Sequence, residues 1–139
     1  MEKAEIQALI REAFAAQKFA YVPYSHFHVG AALRGKNGQV FRGCNIENAS
    51  YTPTNCAERT ALFKAVSEGV REFDAIAIVG SKVGETNALV TGPCGVCRQA
   101  LYEFGGPELT VIMARSEADY IVTTLGDLLP YGFGPANLE

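Results

Sequence analysis

Two short cysteine clusters constrain this chain more than any other feature. Cys56-Ala-Glu58 and, much later, Pro93-Cys94-Gly-Val-Cys97 each fall where the pattern predicts the start of a helix. The two-residue gap between Cys94 and Cys97 lets both sulfurs converge on one ion from a single helical turn. Backbone N–H groups and the helix dipole at such a start favour thiolate over thiol. With Cys56 added, two positive helix ends point at one metal. Three protein ligands leave the fourth tetrahedral position of zinc to water, which is the catalytic pattern; closed structural sites use four.

Glu58 stands two residues after Cys56, within reach of such a water. A carboxylate there can take the water's proton and hand it to a leaving group. Arg59 fits the same electrostatics: three thiolates around Zn2+ carry a net negative charge, and a guanidinium beside them withdraws part of it. Parts of the pattern admit other readings. Asn55-Cys-Ala-Glu58 also reads as a helix N-cap followed by a structural Glu, a capping-box variant. Cys94-Gly-Val-Cys97 alone fits a thioredoxin-like redox pair. Cys44 or a histidine as fourth ligand would give a closed, non-catalytic zinc module. Neither the redox nor the closed-site reading requires a Glu two residues after the first cysteine, so the combined signals favour catalysis.

Around these clusters, Ile6, Leu9, Ile10, Ala13, Phe14 and Gln17 follow a three-and-four spacing that predicts an amphipathic helix over 4–18 with one buried stripe. Pro23 breaks it. Residues 27–33 and 39–44 read as a hairpin turning at Lys36-Asn37-Gly38. A second helix runs from near Cys56 to Gly69. Phe73-Asp-Ala-Ile-Ala-Ile-Val79 is so continuously apolar that it predicts a central strand. A third helix opens at Pro93 and ends at Gly105-Gly106-Pro107, and residues 109–113 and 120–124 supply the last strands. A hairpin followed by alternating helices and strands implies an α/β fold with a mixed, mostly five-stranded sheet covered by helices.

The chain has 139 residues, 48% of them hydrophobic, which predicts one domain over 1–139 with a core large enough to need no disulfides. The net charge of −3 lacks the basic footprint of a phosphate-backbone binder. A nucleic-acid partner is therefore not expected. No secretory signal or membrane-length apolar run is read, so the expectation is a soluble, cytoplasmic protein with reduced cysteines.

The motifs extend well beyond the zinc cluster: Pro23-Tyr-Ser-His-Phe27-His-Val-Gly-Ala-Ala, Gly43-Cys-Asn45-Ile-Glu47-Asn-Ala-Ser-Tyr51, Cys56-Ala-Glu-Arg-Thr-Ala, Pro93-Cys-Gly-Val-Cys-Arg-Gln99, Leu128-Leu-Pro and Phe133-Gly-Pro. Together they resemble the zinc-dependent cytidine deaminases of the small homotetrameric type. The general deaminase signature is His-x-Glu…Pro-Cys-x-x-Cys; Cys56 in place of that His is the form of the free-nucleoside enzymes. The resemblance implies a three-layer α/β/α fold and one Zn2+ per chain on Cys56, Cys94 and Cys97, with Glu58 as proton shuttle. It also implies deamination of cytidine and 2′-deoxycytidine in pyrimidine salvage by a homotetramer with shared active sites.

By the same resemblance Asn45 and Glu47 hold the ribose hydroxyls, Phe27 packs on the pyrimidine, and the backbone N–H of Ala57 faces the base. Ala49, Tyr51 and Phe133 are lent by neighbouring subunits. Without the family, Asn45 and Glu47 read as polar loop residues and Phe27 as ordinary core. His26 and His28 match no ligand position, and Cys44 reads as core. The relatives that deaminate blasticidin S share the zinc motif but lack this Asn-Ile-Glu-Asn segment.

Overall fold

Helix α1 (Lys3–Gln17) buries Ile6, Leu9, Ile10, Ala13 and Gln17 as its spacing predicts, together with Ala16, while Phe14 is only half-buried. These elements come from a computed structural model that describes residues 1–86 and 89–139. Strands β1 (Phe27–Gly35) and β2 (Val40–Cys44) pair antiparallel, closing through a turn in which Gly38 takes φ 90°. Helix α2 (Ala57–Ser67), strand β3 (Phe73–Lys82), helix α3 (Gly95–Gly105), strands β4 (Thr110–Ala114) and β5 (Tyr120–Thr124) and a short helix α4 (Leu125–Leu128) follow. A 3₁₀ turn, Pro135–Leu138, closes the chain; the sequence pattern did not predict it.

The five strands form one sheet in the order β2-β1-β3-β4-β5. β3 and β4 are parallel and joined through α3, while the other neighbours are antiparallel. β3 is central, as its apolar run predicts. Its two faces serve two cores. Ala75, Ala77 and Val79 pack with α1 on one side; Ile76 and Ile78 pack with α2, Leu101 of α3 and Leu125 on the other. The result is the three-layer α/β/α arrangement. β3 runs three residues beyond Val79 because Phe27 and His28 of β1 continue the pairing to Lys82 and Ser81.

Gly43 sets how closely α2 approaches the sheet. A Cβ there would stand 2.3 Å from the Ala57 carbonyl oxygen and 2.5 Å from Ala61 N. Only a residue without a side chain lets the first turn of α2 lie directly on β2, and that turn carries the cysteine cluster's neighbours.

Candidate active site

The structure brings Cys56, Cys94 and Cys97 together, with all three sulfurs within 4.8 Å of one another. Cys56 is the N-cap of α2 and Cys94 the N-cap of α3, both in extended backbone, and Cys97 is the third residue of α3. Their convergence follows from two helices that start side by side on one face of the sheet. The Cys56 and Cys94 sulfurs lie 3.8 Å apart. Tetrahedral zinc with Zn–S bonds of about 2.3 Å requires sulfurs about 3.8 Å apart, so the trio fits the metal. Cys97 is fully buried and Cys94 exposed, which opens the cluster to solvent on one side.

The sulfurs hydrogen-bond among themselves and with Arg59. Cys56 is pulled down to about 5, chiefly by the hydrogen bond from Cys97 and then by Arg59 and Cys94. Cys97 is pushed up because it is the donor to Cys56 and is buried. Arg59 Nη2 lies 3.4 Å from Cys56 Sγ, and that bond raises the guanidinium's own pKa. Arg59 Nε is buried without a hydrogen-bond partner among the described residues.

Glu58 is the second residue of α2 and only 4% exposed. Burial, reinforced by the charge on Cys56, pushes its carboxyl up to about 7. A carboxylate poised near neutrality both accepts and releases protons. The capping-box alternative does not match the helix start. Cys56, not Asn55, is the N-cap, and it makes no side-chain cap hydrogen bond. Asn55 instead donates through Nδ2 to Thr60 Oγ1 at 3.1 Å, and its backbone exchanges both hydrogen bonds with Ile46.

That Ile46–Asn55 bridge lays the Asn45–Glu47 segment beside the residue preceding Cys56. Asn45 bridges the start of β1: its Nδ2 donates to the Phe27 carbonyl and its Oδ1 accepts from Val29 N, both at 2.9 Å. Glu47 accepts from Tyr24 N, Ser25 N and Ser25 Oγ. It lines a cavity of about 370 Å³ with Tyr24, Ser25, Tyr51 and Thr54. Tyr51 therefore lines the Glu47 cavity of its own chain, its ring 6.1 Å edge-on to Tyr24. Phe27 is half-buried, Ala57 fully buried and Ala49 exposed.

Phe133 lies apart from the cysteines in sequence but is tied to α3, where Gln99 Nε2 donates to its carbonyl at 2.8 Å; its side chain is 58% exposed. Ser25 and Gln99 are contacts that sequence reasoning missed, since neither residue type signals its partner. Cys44 is half-buried rather than core, at the edge strand beside Phe19, Thr60 and Lys64. His28 Nε2 meets Ser81 Oγ at 3.1 Å and His26 is exposed, so neither joins the cysteines.

Three thiols from two helix starts, with a buried carboxylate beside them on an α/β/α frame, define a zinc-binding hydrolase site. Residues 3–113 match the family model described as "Cytidine and deoxycytidylate deaminase zinc-binding region". A cytidine deaminase from Sporosarcina psychrophila is 46% identical over 135 residues, covering 97% of this chain and 96% of its own. Another, from Halalkalibacterium halodurans, is 52% identical over 127 residues, covering 91% and 92%. The crystal structure of cytidine deaminase from Burkholderia pseudomallei superposes with a TM-score of 0.83 at 52% identity, covering 91% of this chain and 97% of that one. The chain belongs to the cytidine and deoxycytidylate deaminase family.

Proposed function

We propose that this chain, acting as one domain over residues 1–139, deaminates cytidine and 2′-deoxycytidine hydrolytically to uridine and 2′-deoxyuridine plus ammonia. Its place is pyrimidine salvage in the cytoplasm. The carrying observation is Glu58: a carboxyl 4% exposed, raised to about 7, two residues after one thiol of a zinc-fitting trio.

Cys56, Cys94 and Cys97 would hold the zinc. When bound, zinc supplies Lewis acidity that brings a water ligand's pKa toward neutrality. Glu58 takes one proton from the attacking water as the C4–O bond forms and passes it to the ring N3. It then takes the second proton from the new C4 hydroxyl and gives it to the amino group, which leaves as ammonia as the C4–N bond breaks and the C4 carbonyl forms. Arg59 draws charge from the Cys56 sulfur. Asn45 and Glu47 hold the ribose hydroxyls, Phe27 packs against the pyrimidine, and the Ala57 N–H faces the base.

The working form is a homotetramer in which Ala49 and Phe133 serve neighbouring subunits, while Tyr51 lines the Glu47 cavity of its own chain. Large apolar side chains left in solvent support this: Phe19, Tyr51 and Phe133 are 77%, 71% and 58% exposed. Zinc-loaded protein should consume cytidine and 2′-deoxycytidine in an ultraviolet absorbance assay and leave CMP nearly untouched, since no basic or Gly-rich phosphate cradle accompanies the motifs. Failure to turn over either nucleoside, or preference for CMP, would overturn the reading.

A further inference from the structure

Both backbone polar groups of Phe27 connect to the Asn45–Glu47 segment, the carbonyl directly and the N–H through Ser25. The carbonyl accepts directly from Asn45 Nδ2 at 2.9 Å. The N–H donates to Ser25 Oγ at 3.0 Å, and that same hydroxyl donates to Glu47 Oε2 at 2.5 Å. The other carboxylate oxygen, Oε1, accepts from Tyr24 N at 3.0 Å and Ser25 N at 3.1 Å. Between Ser25 and Phe27, His26 sits at φ 56°, a conformation that a residue with a side chain holds only when its surroundings impose it.

A hydroxyl has one proton to give. Given to a carboxylate, it leaves the oxygen more negative and therefore a better acceptor for the Phe27 N–H. The Ser25 bond also holds the Glu47 carboxyl below the usual carboxylate range, so the acceptor is charged at neutral pH. Removing the hydroxyl strips Glu47 Oε2 of this donor and Phe27 N–H of its acceptor in a single step.

We propose that Ser25 is a positioning residue that couples the carboxylate of Glu47 to the ring of Phe27, so that reading the nucleoside 3′-hydroxyl and placing the pyrimidine are one cooperative event. This coupling presupposes that Asn45 and Glu47 hold the sugar and Phe27 the base. It makes Ser25 a determinant of sugar specificity without touching the sugar.

The test compares kcat/KM for cytidine and 3′-deoxycytidine in zinc-loaded wild type, Ser25→Ala and Ser25→Thr. Wild type should prefer cytidine by about 10- to 100-fold, the size of a hydrogen bond to a charged group. Ser25→Ala should raise KM for cytidine about tenfold with kcat changed less than about threefold, and should shrink the 3′-hydroxyl preference to under about a third of the wild-type ratio. Ser25→Thr, which keeps the hydroxyl, should keep the ratio, and zinc content should be equal in all three. If Ser25→Ala does not fold, Ser25→Cys carries the same comparison with a far weaker donor. An undiminished ratio in a wild type that discriminates overturns the coupling and leaves the sugar assignment standing. A wild-type ratio near one overturns the sugar assignment, and the coupling with it.

Discussion

Gln99 and Phe133 are joined across 34 residues by a hydrogen bond from the Gln99 side chain to the Phe133 carbonyl at 2.8 Å. Arg98, its neighbour on α3, donates to the carbonyls of Pro93 and Leu128 at 2.7 and 2.8 Å. The helix that carries Cys97 thus grips the C-terminal segment one residue later. Tyr102 completes the grip, its ring lying where a Cβ on Gly134 would fall, 2.6 and 2.8 Å from ring carbons. Gly134 is extended, at φ −151°, so an alanine there meets a steric cost and no backbone one. We expect Gly134→Ala to lose about 1–3 kcal/mol of stability in denaturant titration. It should also raise KM for cytidine with zinc content intact, and combining it with Tyr102→Leu should restore part of both. An unaltered Gly134→Ala protein would show that the ring does not hold the tail.

If that grip presents Phe133 to an adjacent subunit, activity lost in two different chains should return on mixing. Glu58→Ala and Phe133→Ala proteins, each impaired, are dissociated and reassociated together. Mixed sites that combine an intact Glu58 from one chain with an intact Phe133 from another should turn over cytidine. No recovery, with subunit exchange verified by mass spectrometry, would place Phe133 in its own chain's site or in none.

Much of this architecture was legible because it depends on short-range periodicity. The α1 stripe and the central place of β3 follow from apolar spacing alone, and Cys94-Gly-Val-Cys97 announced a metal pair by its gap. Residue pairs distant in sequence were not legible. Ser25 meets Glu47 across 22 residues and Gln99 meets Phe133 across 34, and no local pattern marks either. Asn55 looked like a helix cap because its residue type favours caps. Tertiary pairing with Ile46 and Thr60 occupies it instead, shifting the N-cap to Cys56. Cys44 looked like core by residue type, yet it ends β2, the edge strand of the sheet, and stays half-buried.

The buried carboxyl gives the metal-free protein a pH signature. Burial pushes the Glu58 carboxyl from an ordinary 4.5 up to about 7 in the folded chain. Between those values the native state holds a proton that the unfolded state has released, so its contribution to stability falls as pH rises through the window. The full difference is about 3 kcal/mol. Cys56, lowered to about 5, acts in the opposite sense over part of the same range, so the wild-type curve alone does not isolate Glu58. Under reducing conditions Glu58→Gln should gain on wild type by up to about 3 kcal/mol between pH 4.5 and 7. A difference that stays constant with pH would show that the carboxyl is not desolvated.

The central claim is that Glu58 moves the protons of deamination while three cysteines hold the metal. The most direct measurement pairs zinc content with single-turnover and steady-state rates for Glu58→Gln, which keeps shape and loses the proton. Zinc should remain at one per chain and the fold intact, while kcat for cytidine falls by at least about 10²–10⁴-fold, the usual value of positioned acid–base catalysis. Retention of more than about a tenth of the wild-type kcat at full zinc occupancy would contradict the proton-shuttle role outright.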